Sequence, residues 1–200
     1  MSRTLVIASD NTGKQAEMVR LLPEGFTVVV AREAGVTLPP ETGTTFEENA
    51  LLKALHTAEQ SGHYAIGDDS GLEVDALGGE PGVYSARYAG EPSNSARNIA
   101  KLLRAMHDVP DDQRTARFRC AIVLAGPDGS TVTEEGVVEG HIGRSPRGSD
   151  GFGYDPIFVA SDGRTFAEIS AHEKDTMSHR GQALRKLIPA IMAISEIHGN

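Results

Sequence analysis

The sequence predicts an α/β fold built on a mixed β-sheet, and three observations carry that prediction. Thr4-Leu5-Val6-Ile7-Ala8 is an apolar run without alternation, the pattern of a strand buried on both faces. A polar loop, a helix-patterned segment and a second apolar run, Phe26-Thr27-Val28-Val29-Val30-Ala31, follow it and make a β-α-β unit with a parallel strand pair. Farther on, Arg117 to Ala125 and Ser130 to Ile142 read as two long strands joined by the turn signal Gly126-Pro127-Asp128-Gly129, an antiparallel hairpin.

Two hundred residues with 39% hydrophobic content suit one globular domain, or one domain with two lobes. No stretch is long and apolar enough to span a bilayer, and Met1-Ser2-Arg3 opens no basic-then-apolar leader, so the expectation is a soluble, cytoplasmic protein. The net charge of −9 disfavours a protein that grips nucleic-acid backbone. It leaves room for a small phosphorylated ligand, because a metal ion and a few cations can reverse the field locally. Cys120, the single cysteine, lies in the apolar strand pattern Cys120-Ala121-Ile122-Val123-Leu124 and reads as a packed thiol with no partner spaced for zinc or nucleophilic catalysis.

In chain order, Ser9-Asp10-Asn11-Thr12-Gly13-Lys14 follows the first strand and opens a helix whose apolar residues fall at 18, 19, 21 and 22. A helix start of this kind suits an anion, and Lys14 adds a point charge for phosphate. It is no ordinary P-loop, since the first glycine would fall at Ala8 and Gln15 follows Lys14. Capping by Ser9, Asp10 or Thr12, with a Thr12–Gln15 box, explains the same residues and can coexist with phosphate binding. Thr45 and Glu48 have capping-box spacing before a second helix, on which Asn49 and Lys53 share a face. Glu41, on the Pro39-Pro40-stiffened loop, reads either as a surface acid or as a second carboxylate for a metal.

Ile66-Gly67-Asp68-Asp69-Ser70-Gly71-Leu72 places two acids and a hydroxyl where a strand is expected to end, so at most one acid faces a given side. An acid there could hold Mg²⁺, which takes hard oxygen ligands; ordinary turn chemistry is the competing explanation. A glycine-dense loop from Gly78 to Tyr88 and an amphipathic helix from Asn94 to His107 come next. Gly151-Phe152-Gly153-Tyr154-Asp155-Pro156-Ile157-Phe158 offers rings for stacking a flat heterocycle and Asp155 as an acceptor; the alternative is an aromatic plug at the start of the strand Ile157-Phe158-Val159. Before the final helix, Gln182 to Ile197, Ser178 is a natural N-cap. His179 and Arg180 are cations at the end of the helix dipole that repels them, which favours contact with an anion or a carbonyl oxygen.

Taken together, these clusters resemble the inosine triphosphate pyrophosphatase family. The matching residues are Ser9-x-Asn11-x-x-Lys14; Glu41-Thr42-Gly43 with Thr45-Phe46-x-Glu48-Asn49-Ala50 and Lys53-Ala54; and Asp68-Asp69-Ser70-Gly71-Leu72 with Leu77-Gly78-Gly79-x-Pro81-Gly82-x-Tyr84-Ser85-Ala86-Arg87. Gly151-Phe152-Gly153-Tyr154-Asp155-Pro156 and Lys174 with Ser178-His179-Arg180 complete the set, in the family's order over nearly the whole chain. Asp10 and Asp150 depart from it, standing where bacterial members usually carry glycine.

The resemblance implies a two-lobed α/β fold, a central mixed sheet flanked by helices with the cleft between lobes, as one pyrophosphatase domain over residues 1–200 and usually a homodimer. It implies Mg²⁺-dependent hydrolysis of ITP, dITP or XTP to the nucleoside monophosphate and pyrophosphate. By that likeness Asp69 activates water and contacts the metal, Glu41 is a second metal ligand, and Asp68 is a supporting carboxylate. Ser9, Asp10, Asn11, Thr12, Gly13, Lys14 and Lys53 would hold the triphosphate, and Ser70 would contact substrate beside the metal. Phe152 would stack on the base, with Gly153 also among the substrate-binding residues and Tyr154, Asp155, Lys174, His179 and Arg180 lining its polar edge. A phosphoacceptor signalling module and a catalytically silent nucleotide binder remain as alternatives; the long hairpin argues against the former.

Overall fold

The protein is described here by a computed structural model covering residues 3–196. Its elements are β1 (Arg3–Ala8), α1 (Thr12–Leu21), β2 (Phe26–Val30), α2 (Phe46–Ser61), β3 (Tyr64–Val74), α3 (Ser95–Ala105), β4 (Thr115–Ala125), β5 (Thr131–Ile142), β6 (Phe158–Val159), α4 (Ala171–Met177) and α5 (His179–Glu196), with short 3₁₀ turns. Six strands hydrogen-bond in the order β2-β1-β3-β4-β5-β6. β1 is parallel to both neighbours, with Leu5 opposite Val28 and Tyr64, whereas β6 is antiparallel to β5. The expected mixed sheet is therefore present, and Leu5 to Ala8 are fully buried as the unalternating run required.

The chain forms two compact units. The first comprises the residues up to Asp69, Cys120–Gly136 and those from Arg180 onward; the second comprises Ser70–Arg119 and Val137–His179. Each unit has its own core. In the first, Leu5, Ile7, Ile66, Ile122 and Leu124 of the strands pack with Met18 and with Ala183, Leu184, Leu187 and Ile191 of α5, a stripe at helical spacing. In the second, Leu72, Leu102, Met106, Ile142 and Tyr154 surround three rings, with Phe118 to Phe158 centroids 4.6 Å apart and Phe158 to Phe166 4.9 Å.

Several local expectations are corrected. The acids do not sit at a strand end or in a turn: β3 runs without interruption from Tyr64 to Val74. The strand tolerates them because Gly67 lets α2 pack directly on it while charged partners meet each carboxylate. A Cβ at Gly67 would lie 2.2 Å from the Ala50 carbonyl oxygen and 2.8 Å from the Ala54 nitrogen. On α1, Met18 is buried and Leu21 and Leu22 pack against the core as the stripe requires, but Val19 is exposed and Glu17 is buried in its place. The cap of α1 is Asn11, whose Oδ1 accepts from the Lys14 backbone N–H at 3.1 Å, so the Ser9, Asp10 and Thr12 capping alternatives fail. The Thr45–Glu48 capping box of α2 forms as expected. The strand expected from Ile157 shortens to Phe158–Val159. The final helix begins at His179, three residues early, because α4 ends directly at Ser178; Ile197, its expected end, lies outside the described residues.

Because backbone atoms occupy the space of a Cβ at Gly67, Gly67→Ala is expected to lower stability by about 1–3 kcal/mol through displacement of α2. A urea unfolding midpoint unchanged from wild type would contradict this close approach.

Candidate active site

Within the first unit, pleating turns Asp68 and Asp69 toward different partners. Asp69 faces α2. Its Oδ2 accepts from Asn49 Nδ2 at 3.1 Å, and its Oδ1 lies 3.7 Å from the Lys53 ammonium and 3.8 Å from that of Lys14. Asn49 is one helical turn before Lys53, so the shared face read from the sequence delivers both side chains to one carboxylate. Asn49 is itself fixed, because its Oδ1 accepts from the Gly43 N–H at 2.8 Å. Lys53 also binds Glu41 Oε1 at 2.6 Å, which places Glu41 in the cluster and removes the reading of a bare surface acid. Burial pushes the Asp69 carboxyl above its ordinary range, with Lys14 and Lys53 pulling against it.

Asp68 faces a second set of partners. Its Oδ2 accepts from Arg180 Nε at 3.0 Å and from the Cys120 thiol at 2.9 Å, while Oδ1 meets Lys14 Nζ at 2.6 Å and Arg180 Nη2 at 3.4 Å. Arg180 Nη1 binds Glu17 of α1. Asp68, Arg180 and Cys120 are essentially inaccessible, and Glu17 nearly so. Burial alone would raise Asp68, but the Arg180 guanidinium and then Lys14 outweigh it and hold the carboxyl far below the usual carboxylate range. Asp68 is therefore an ionised anchor at neutral pH, whereas the carboxyl of Asp69 is raised.

The loop that follows β1 shapes the approach to Lys14. Ser9 Oγ accepts from the Asn11 N–H at 3.2 Å, and Gln15 Nε2 donates to the Ser9 carbonyl at 2.6 Å. Asp10, Asn11 and Thr12 are exposed while Gly13 and Lys14 are half-buried, and the Lys14 ammonium is turned inward to both acids. Ser70, the next residue of β3, is half-buried in the second unit.

A Mg²⁺ ion fits this donor set. Asp69 and Glu41 carry the hard carboxylate oxygens that Mg²⁺ prefers, and both are drawn to one Lys53 ammonium, so a cation already stands between them. Among the described residues no group of three or more His, Cys, Asp or Glu is arranged for a metal. A pair of carboxylates is what Mg²⁺ uses when substrate phosphates supply further oxygens.

In the second unit, Asp155 is buried and accepts from the Phe152 N–H at 2.8 Å and from Lys174 Nζ at 2.5 Å. The Lys174 ammonium stands 4.7 Å from the centroid of the Phe152 ring, within cation–π range. Gly151, at φ +75°, is needed there, since a Cβ would lie 2.1 Å from Asp155 Oδ2. Phe152, Asp155 and Lys174 thus form one cluster, with Gly153 in the turn between Phe152 and Asp155. Tyr154 belongs to the core and donates its hydroxyl to the Ser85 carbonyl at 2.9 Å, which is the plug alternative for that ring. His179 is stacked on Phe118 at 4.8 Å, and Arg180 lies in the Asp68 cluster of the first unit. The dipole conflict at 179 and 180 was a correct sign of an anion for Arg180, but the anions are Asp68 and Glu17. Glu17 and Cys120 are the members of the cluster that sequence reasoning missed. Glu17 sits three residues after Lys14 on α1, a spacing that could have revealed it.

Asp68 has a sign-definite effect on stability. Its folded pKa lies below the unfolded value of 3.8, so its contribution is present above that value and is lost as pH falls below it. Asp68→Asn is expected to cost about 3–5 kcal/mol at neutral pH by leaving buried cations uncompensated. The gap to wild type should close in urea unfolding as pH drops below 3.8; a gap independent of pH would contradict the assignment.

The Ham1 family model matches residues 5–190. A protein of Shigella flexneri named dITP/XTP pyrophosphatase is 50% identical over 191 residues, covering 94% of this chain and 97% of its own. One of the same name from Desulforamulus reducens is 52% identical over 185 residues, covering 91% and 92%. Among solved structures, a HAM1 protein from Coxiella burnetii superposes with a TM-score of 0.86 at 44% identity, covering 96% of this chain and 99% of that one. With a match along nearly its whole length, in sequence and in fold, this chain belongs to the Ham1 family.

Proposed function

We propose that this protein is a nucleoside triphosphate pyrophosphatase that hydrolyses the non-standard purine nucleotides ITP, dITP and XTP to the nucleoside monophosphate and pyrophosphate, keeping damaged purines out of the nucleotide pool. The observation that carries the reading is the 50% identity, across 94% of the chain, to a relative named for that substrate pair. The acid and lysine cluster of the first unit supports it. The activity is assigned to one domain over residues 1–200, acting as a homodimer in the cytoplasm, on the strength of the family likeness.

In this reading Asp69 is the general base. Its carboxylate takes a proton from water as the water oxygen attacks the α-phosphorus, and the bond to the pyrophosphate oxygen breaks. Asn49 orients that carboxylate through the 3.1 Å hydrogen bond and leaves Oδ1 toward the lysines. Ser9, Asp10, Asn11, Thr12 and Gly13 present the loop to the triphosphate, while Lys14 and Lys53 neutralise charge on the leaving pyrophosphate. Glu41 and Asp69 hold Mg²⁺, which when bound supplies further charge neutralisation at the phosphates. Ser70 contacts substrate beside them.

For the base, Phe152 provides the stacking face, with Gly153 beside it, and Lys174 is held by Asp155 as a donor. An ammonium has three donors and no acceptor, so it suits the 6-oxo group of hypoxanthine or xanthine and leaves a 6-amino group unpaired. Tyr154 supports this loop from the core, and His179 completes the polar side on the family likeness, while Arg180 is engaged by Asp68 and Glu17 in the first unit.

Phosphorus NMR of the protein with Mg²⁺ and, separately, dITP, XTP, dGTP and ATP tests the reading. Monophosphate and pyrophosphate are expected from dITP and XTP, with little turnover of dGTP or ATP; orthophosphate, or equal turnover of all four, would overturn it. Asp69→Asn should lose at least about 100-fold in kcat. In the metal-free protein burial raises the Asp69 carboxyl, so its protonation, followed by carbon-13 NMR, should occur above pH 3.8, and addition of Mg²⁺ should lower it. Lys174→Met should narrow the preference for dITP over dATP by about tenfold or more, read as a ratio of kcat/KM, because one charged hydrogen bond is at stake.

A further inference from the structure

The buried side of Asp68 holds a group that the reaction as derived leaves unused. Cys120, at the centre of β4, is 1% exposed, and its thiol lies 2.9 Å from Asp68 Oδ2. That oxygen also accepts from Arg180 Nε at 3.0 Å, whereas the second arm of the guanidinium, Nη2, stands 3.4 Å from Oδ1. An unconstrained arginine–carboxylate pair closes to a fork of two similar hydrogen bonds. Here the fork is lopsided, and the oxygen that Arg180 holds loosely is the one that Lys14 meets at 2.6 Å.

We propose that Cys120 is a positioning residue for pyrophosphate release: its thiol engages Oδ2 of Asp68, keeps Arg180 from closing on both oxygens, and so reserves Oδ1 for Lys14. The thiol is suited to this as a permanent donor, since burial and then the Asp68 charge push its ionisation far up. Glu17 holds the other arm of Arg180 and keeps the guanidinium from following the carboxylate. Lys14 in turn stands 3.8 Å from Asp69. Loss of the thiol donor leaves the core filled but lets Arg180 compete with Lys14 for Oδ1, so the lysine loses its fixed place. The inference rests on the assignment of Lys14 to the triphosphate.

Cys120→Val removes the donor and keeps a strand-compatible side chain; Cys120→Ser keeps a donor. With dITP and Mg²⁺, Cys120→Val should lower kcat about tenfold with KM nearly unchanged, because Lys14 acts most strongly on charge that develops in the transition state. Cys120→Ser should retain most of the rate, and in a Lys14→Met background Cys120→Val should cost nothing further. A wild-type kcat in Cys120→Val, no advantage of Ser over Val, or the same loss in both Lys14 backgrounds would overturn the proposal. Thermal melts check that each variant is folded at the assay temperature, and Cys120→Ala replaces Val if it is not. Labelling of Lys14 by trinitrobenzenesulfonate, followed by mass spectrometry, reads the position of the lysine without turnover. It should be faster in Cys120→Val than in wild type or Cys120→Ser, and an unchanged rate would overturn the positioning role. A wild-type protein that releases no pyrophosphate from dITP would instead sink the proposed reaction, leaving the labelling result to judge Cys120.

Discussion

The arrangement of the first unit depends on one buried ion pair, Asp68 with Arg180. A carboxylate with no access to water is strongly disfavoured unless opposite charge and hydrogen bonds compensate it. Arg180 reaches it from the start of α5, Lys14 from α1 and Cys120 from β4, so three elements are tied to a fourth, β3, at a single side chain. Such a pair contributes little net stability compared with a well-packed apolar alternative. What it contributes is position, because each partner has a steep penalty for leaving. Lys14 is thereby held near Asp69 without binding to it alone.

Asp69 differs because its neighbours are arranged differently. Two ammonium groups lie 3.7 and 3.8 Å away and an amide hydrogen bond from Asn49 orients it, and burial outweighs the two lysines so that its carboxyl is raised. Two adjacent acids of identical chemistry thus divide into one whose carboxyl is held low and one whose carboxyl is raised. The close contact at Gly67 underlies this division: only without a side chain there can the backbone of α2 approach β3, and that approach brings Asn49 and Lys53 onto Asp69.

Much of this was legible in the residues. The unalternating run of β1, the β-α-β opening, the hairpin and the Thr45–Glu48 cap are local patterns, and they form as read. The pairing of Asn49 with Lys53 followed from helical spacing alone. The errors have a common physical origin. Asp68 and Asp69 looked like residues at a strand end or turn because polarity was taken as a sign of exposure, and Glu17 drew no reading at all. Each is buried against charges from other elements: Glu17 and Arg180 are separated by 163 positions and Asp68 and Arg180 by 112. Periodicity reports which way a side chain points and says nothing of what waits there.

The sequence by itself determined the class of fold, the family and the set of chemically competent residues, since these reside in local pattern and in motif order along the chain. The tertiary structure decided their division of labour. It put Arg180 on Asp68 and Glu17, turned Cys120 from core filler into a donor, made Tyr154 a core residue and separated the two acids in protonation behaviour. Those outcomes turn on distances of 2 to 4 Å between distant segments and on exclusion from water, and Coulomb interaction and desolvation depend on both.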